Sequence, residues 1–248
     1  RGNRFARRMR VWAWGPELRM TLAAMPVAGG NEAKAAIELL KLVDLRGAMV
    51  TADALHCSAR MAQEITQRGG DYALALKGNQ APLLADAEQR LARAKTPKAA
   101  FAVTEEEGHG RWERRAARVV RTPGLGRKHG FTRLCAIGEV CRTRVVGGKR
   151  EDDRCLYVLS RPMPAQDFLA VVRRHWDIEN GLHWELDVVF REDDCRSRKD
   201  HGPENLALLR RFCVNTFRAD SKKDTMRGKM MRAGWNDSYL FSLMTQMR

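Results

Sequence analysis

The first sixteen positions, RGNRFARRMRVWAWGP, contain no acidic residue, and five of the first ten are Arg. They read as a flexible basic arm, or as the exit of a strand that begins upstream. The chain opens on Arg1 rather than Met, so a longer parent protein is expected. Cysteine is scarce and scattered: six residues, at 57, 135, 141, 155, 195 and 213, with no CxxC pair. That argues against a zinc ribbon and against a disulfide scaffold. A reduced, cytoplasmic compartment fits best. No apolar run reaches the roughly 18 residues of a membrane span, and no signal-peptide pattern is present. Internal repeats and low-complexity tracts are absent as well.

Acid is in deficit throughout. Lys and Arg number 45 against 30 Asp and Glu, a net charge of +15. A surface that basic favours a polyanion, most often nucleic acid. A merely soluble basic protein is the alternative that charge alone leaves open. At 248 residues, 44% hydrophobic and 30% charged, the chain has room for one sizeable globular domain, or a domain with an insertion.

What is present is organised around residues 168–194, FLAVVRRHWDIENGLHWELDVVFREDD. Phe168, Val172, His175, Glu179, Leu182, Leu186 and Val189 recur four and three apart, which predicts one face of a helix. That face is apolar apart from His175 and Glu179. A carboxylate turned inward needs a cation, a hydrogen-bond network or a function. Partial exposure of Glu179, or pairing with Arg174 or His183, would satisfy it without chemistry.

Upstream, the pattern is strand, strand, helix, strand, helix, strand, helix over residues 10–95, an α/β layout. Asn31 is placed to cap a first helix that ends near Arg46-Gly47. The run AMVTA at 48–52 is a short strand with Asp53 at its end. In open α/β sheets the ligand crevice lies at the carboxyl ends of the strands. Alternatively Asp53 caps the next helix, which starts near Ser58. DYALAL at 71–76 is another strand and leads into Lys77-Gly78-Asn79-Gln80. The character changes at Thr96-Pro97, where AFAVTEE, ERRAARVVR, LCAIGEVCRTRVV and CLYVLS read as strands. Arg111, Arg114, Arg115 and Arg118 alternate there, as a solvated face or as a phosphate track. Helices follow at 203–217 and 235–247, around a basic, Met-rich stretch at 218–234.

Five stretches in order carry a resemblance to one family: VTADALHC around Asp53, GGDYALALKGNQ at 69–80, HGRWERR at 109–115, HWDIENGLHWELDVVFRED at 175–193 and GPENLALLRR at 202–211. The chain resembles DDE insertion-sequence transposases of the H-repeat-associated type. The resemblance implies an α/β fold with a ribonuclease H-like mixed sheet, flanking helices and an inserted β-rich subdomain before the helix of the catalytic Glu. It divides the chain into the first part of the core at 1–95, the inserted region at 96–161, and the catalytic-Glu helix with a helical region at 162–248.

By the same resemblance Asp53 and Glu179 are the second and third acids of the catalytic triad. The Tyr, Arg and Lys that related families carry around the Glu fall here at Val172, His175 and Leu186. The Arg and Lys roles then pass to Arg174 and His183. The first acid would precede Arg1-Gly2. It is absent from these residues, and Glu17, in a turn, is a poor substitute. The chain as given is expected to be a truncated and inactive copy.

The implied chemistry is cleavage and transfer of DNA strands by two-metal phosphoryl transfer. The implied ions are Mg²⁺ or Mn²⁺, held by Asp53 and Glu179. Lys77, Arg111, Arg114, Arg115, Arg118, Arg174 and His183 would hold phosphates of double-stranded DNA, at element ends and target, with a homo-oligomer on the DNA. Rival readings are a metal-dependent nuclease without strand transfer and a non-enzymatic DNA-binding remnant. A zinc hydrolase using Glu179, His183 and Asp187 is a further rival, lacking any convincing further ligand.

Overall fold

A computed structural model describes residues 10–95, 101–108, 110–197 and 199–245, apart from the side chains of Ala28, Glu179 and Asn180. The basic arm at 1–9 and the boundary at Thr96-Pro97 lie outside the described residues. The chain forms two compact units: Leu40–His175, and the residues up to Leu39 together with those from Trp176 onward.

The first unit is α/β. Its mixed sheet runs in the order β3-β4-β8-β7-β6-β5. These strands are β3 Met49–Ala52, β4 Asp71–Leu76, β5 Ala102–Gly108, β6 Arg111–Arg121, β7 Ala136–Val146 and β8 Lys149–Leu159. Only β3 and β4 are parallel; every other neighbour is antiparallel. The strands expected as an insertion are thus hydrogen-bonded directly onto β4, with Leu74 opposite Val158 and Ala75 opposite Tyr157.

Alternation explains how both faces are buried. Ala73, Ala117, Ala136, Val140 and Tyr157 share one face with Phe168, Leu169 and Val172 of helix α5 (Ala165–His175). Leu74, Ile137 and Val158 lie on the opposite face and are fully buried. Helices α2 (Ala59–Gln67) and α3 (Ala81–Arg93) bury Met61, Ile65, Leu83 and Leu91. Ser58 caps α2, accepting from the Met61 amide at 3.1 Å. The five-residue α4 (Leu125–His129) follows β6.

The second unit contains the hairpin β1 (Arg10–Gly15) and β2 (Met20–Pro26), most of helix α1 (Glu32–Leu40), and helices α6 (Gly202–Ala219), α7 (Met226–Trp235) and α8 (Asp237–Thr245). Asn31 caps α1 as its position predicts, accepting from the Lys34 amide at 2.9 Å. That helix stops at Leu40, short of the expected Arg46. Beyond it, the Asp44 carboxylate binds the Arg46 amide and guanidinium and holds a turn instead. Helix α7 forms within and just beyond the basic, Met-rich stretch at 218–234. Its start is fixed locally by the Thr225 hydroxyl, which accepts from the Gly228 amide at 3.0 Å.

Asn215 on α6 reads the backbone of β2 on both sides. It accepts from the Thr21 amide at 3.0 Å and donates to the Thr21 carbonyl at 2.8 Å. Two of the sequence motifs meet in one buried pair. Arg211, from GPENLALLRR, donates to Glu192 at 2.8 and 3.1 Å and lies 3.8 Å over the Trp12 ring. Arg211→Ala should destabilise the protein by about 3–5 kcal/mol, because it leaves Glu192 without its partner in a largely water-excluded site. A denaturant melt within about 0.5 kcal/mol of the parent would show that the pair contributes nothing.

The long helix predicted over 168–194 is interrupted. After α5 the backbone widens to i→i+5 turns at Ile178–His183 and Glu185–Val189. Leu182 and Leu186 are still buried, against Val214. Among the described residues no helix is long and apolar enough to cross a membrane.

Candidate active site at the end of the third strand

Asp53 follows β3 directly, and its backbone is extended. A short turn comes next, Ala54–His56, yet the Asp53 side chain makes no capping hydrogen bond to it. The helix-capping role open to Asp53 is therefore not the one it has; Ser58 performs it for α2. Asp53 keeps 73% of its side-chain surface exposed, so the carboxylate is presented rather than consumed.

Three neighbours define its electrostatics. His175, the last residue of α5, brings Nε2 to 3.2 Å from Asp53 Oδ1, while its Nδ1 stands 3.1 Å from the Thr51 hydroxyl. Thr51 and Asp53 are two apart and so project from the same side of β3. One imidazole bridges both. The His175 hydrogen bond, with the charges of His175, His56 and Lys77, holds the Asp53 carboxyl below the ordinary aspartate range despite partial burial. Asp53 is thus ionised at neutral pH. Tyr157, on the same face, is pushed up by burial and by the nearby Cys155 and Asp53, so its phenol stays protonated.

The turns after β3 and β4 are fastened to each other. Asn79 donates to the Ala54 carbonyl at 2.6 Å and Gln80 to the Cys57 carbonyl at 3.1 Å. This is why ADALHC and KGNQ matter together: the second loop clamps the first and sets Lys77 beside Asp53. Because the shift of Asp53 is downward, its ionised form stabilises the fold above the ordinary aspartate value. That contribution is lost as pH falls through the lower folded value. In a His175→Ala protein the Asp53 titration should move up towards the ordinary value, measured by carboxyl-carbon NMR. An unmoved titration would mean His175 does not set it.

The other expected site residues are distributed as follows. The Glu179 backbone lies in the turn Ile178–His183; its side chain lies outside the described residues. His183 belongs to the same turn and is half-buried, and Arg174 is exposed near the end of α5. The four β6 arginines are not gathered on one surface. Alternation sends Arg111 and Arg115 to one face and Arg114 and Arg118 to the other. Each is ion-paired: Arg111 and Arg115 with the buried Glu113, Arg115 also with Glu106, Arg114 with Glu105, and Arg118 with Glu139. Sequence reasoning missed Thr51 and His56, and it read His175 as a polar residue on the face of Glu179 and as the position where related families carry an Arg, with no link to Asp53. The available signal was that His175 interrupts an otherwise apolar helix face.

A hard, ionised, exposed oxygen ligand such as Asp53 suits Mg²⁺ or Mn²⁺. Among the described residues no three His, Cys, Asp or Glu side chains cluster as a metal site. The described side chains therefore supply one acid and do not by themselves hold a pair of ions.

The profile described as a transposase DDE domain matches residues 5–216. The chain belongs to the DDE transposase family. YbfL of Escherichia coli K12 is 33% identical over 224 residues, covering 86% of this chain and 59% of that protein. The "H repeat-associated putative transposase YhhI" of the same strain gives the same identity and coverages. YncI of Escherichia coli O157:H7 is 31% identical over 228 residues, covering 86% of this chain and 57% of its own. The chain thus spans somewhat over half the length of these curated relatives. The mixed sheet with flanking helices is compatible with a ribonuclease H-like fold, and Asp53 lies inside the matched region.

Proposed function

We propose that this DDE-family chain contributes to cleavage and transfer of DNA strands, with Asp53 and Glu179 as two acids of a ribonuclease H-like centre. In this reading β5–β8 are an insertion that has extended the core sheet. The observation that carries the proposal is Asp53: an ionised carboxylate at a strand's carboxyl end, exposed and free of any capping duty. Asp53 and Glu179 would hold Mg²⁺ or Mn²⁺, which would neutralise charge on the phosphoryl oxygens in flight. His175 would keep Asp53 ionised and oriented, and Lys77 would meet a phosphate beside it. Double-stranded DNA, as element end and as target, is the proposed substrate, bound by a homo-oligomer. Arg111, Arg114, Arg115, Arg118, Arg174 and His183 stay proposed DNA contacts. The β6 arginines would have to exchange a carboxylate partner for a phosphate, which lowers what each contact contributes.

The test is a 3′-end nicking and joining assay with Mg²⁺ on DNA bearing the element ends. It should use both this chain and a form extended upstream of Arg1. Nicking with joining of the 3′-hydroxyl to target DNA supports the proposal. Cleavage without joining points to a nuclease. Binding without either reaction points to a DNA-binding remnant.

A further inference from the structure

The basic charge of this protein is largely neutralised where the sequence pattern concentrates it, so a search for unspent cations leads elsewhere. Two open clefts of similar size lie in the Leu40–His175 unit. One, of about 480 Å³, is lined by Asp44, Arg46, Glu64 and Arg68. Its two guanidiniums are both taken, Arg46 by Asp44 and Arg68 by Glu64. The other, of about 490 Å³, lies between α3 and the end of β6 and is lined by Asp86, Arg90, Arg93, Arg121 and Lys128. Asp86 is its one acid and is engaged by Lys128 and His129. Arg90 donates to the Pro123 carbonyl, which consumes a hydrogen bond but no charge. Among the described residues Arg93 and Arg121 make no ion pair, and both are exposed.

We infer that this second cleft binds a phosphodiester of the DNA backbone, outside the reaction centre. Four cations against one acid leave a strong positive excess in a concave site, where low-dielectric walls concentrate the field. Planar guanidiniums match the geometry of phosphate oxygens. Four strand spacings of about 4.8 Å separate β6 from β3, so the cleft stands roughly 20 Å from Asp53. That is the span of several base pairs, which makes it a contact that sets the register of a bound duplex rather than one that touches the reacting bond. The inference rests on the proposed DNA substrate.

The experiment is fluorescence anisotropy of a duplex of unrelated sequence against salt, with the full chain. Its variants are R93A/R121A, R93E/R121E, and R46A/R68A, which removes equal charge from the neutralised cleft. Each phosphate contact contributes about 0.9 to the slope of log affinity against log salt. R93A/R121A should lower the magnitude of that slope by about 1–2 and weaken binding about tenfold to a hundredfold at ~0.1 M salt. R93E/R121E should weaken it further, and R46A/R68A should change little. If the parent protein fails to bind duplex DNA, the DNA reading itself falls, and this site with it. If the parent binds and R93A/R121A keeps its slope, or if R46A/R68A lowers it equally, the cleft assignment is overturned while the DNA reading stands.

Discussion

Asp53→Asn is expected to reduce 3′-end nicking and joining at least a thousandfold while leaving the fold intact. The substitution keeps size and hydrogen-bonding shape and removes only the charge. Asp53 is exposed and caps nothing, so its loss should shift the melting curve little. On the proposed reading, the same carboxylate would hold a metal whose charge stabilisation is worth several kcal/mol. Each 1.36 kcal/mol is about a factor of ten in rate. His175→Ala acts through Asp53 and should cost far less, about tenfold, with activity falling off at a higher pH than in the parent. The comparison must be made in a form of the protein that nicks DNA. If Asp53→Asn nicks and joins like the parent, Asp53 is not one of the acids, and the family assignment would have to be reconciled with another carboxylate.

A large loss of stability is expected from substitution of a residue without a side chain. Gly138 on β7 stands opposite Tyr157 on β8 and Val119 on β6. The Phe168 ring, from the first turn of α5, lies directly over it and meets Tyr157 edge-on at 5.5 Å between centroids. A methyl group at Gly138 would come within 2.7 Å of Phe168 Cε1 and Cε2, and closer still to Cζ. No carbon tolerates that approach. Phe168 is fully buried in a close-packed core, so the clash is expected to displace the ring and with it α5. Gly138→Ala should therefore cost about 3 kcal/mol, near the upper end for overpacking, and lower Tm by about 6–12 °C. Phe168→Ala alone should cost about 3–5 kcal/mol through the cavity it leaves. The double variant should lose clearly less than the sum, because each change accommodates the other. Since α5 ends at His175, the Gly138→Ala protein should also show a raised Asp53 titration. Additive losses would show that the ring and the glycine do not meet.

The local elements were legible because their causes are local. Asn31 and Ser58 mark helix starts through their own side chains, and short apolar runs mark β3, β4 and the long strands. Asp53 could be placed at a strand end from AMVTAD alone. Whether it capped a helix or faced solvent could not, since Ser58, five residues on, competes for the same duty. The wide turns at 178–189 were hidden because residues four apart share a side under either winding, so Leu182 and Leu186 look alike in both.

The sequence by itself determined the α/β class of the fold, the order of its elements over residues 10–95, the position of Asp53 and the excess of positive charge. Only the tertiary structure decided which side chains that charge belongs to. Ion pairing depends on strand register: Arg118 meets Glu139 only because β6 and β7 align as they do, while Arg121 falls opposite Ala136 and, among the described residues, neither it nor Arg93 makes an ion pair. The same holds for Asp53 and His175, whose separation along the chain is closed by packing α5 across the sheet on Phe168 and Gly138. Such contacts are set by burial of apolar surface elsewhere, and nothing in the residues on either side of them announces it.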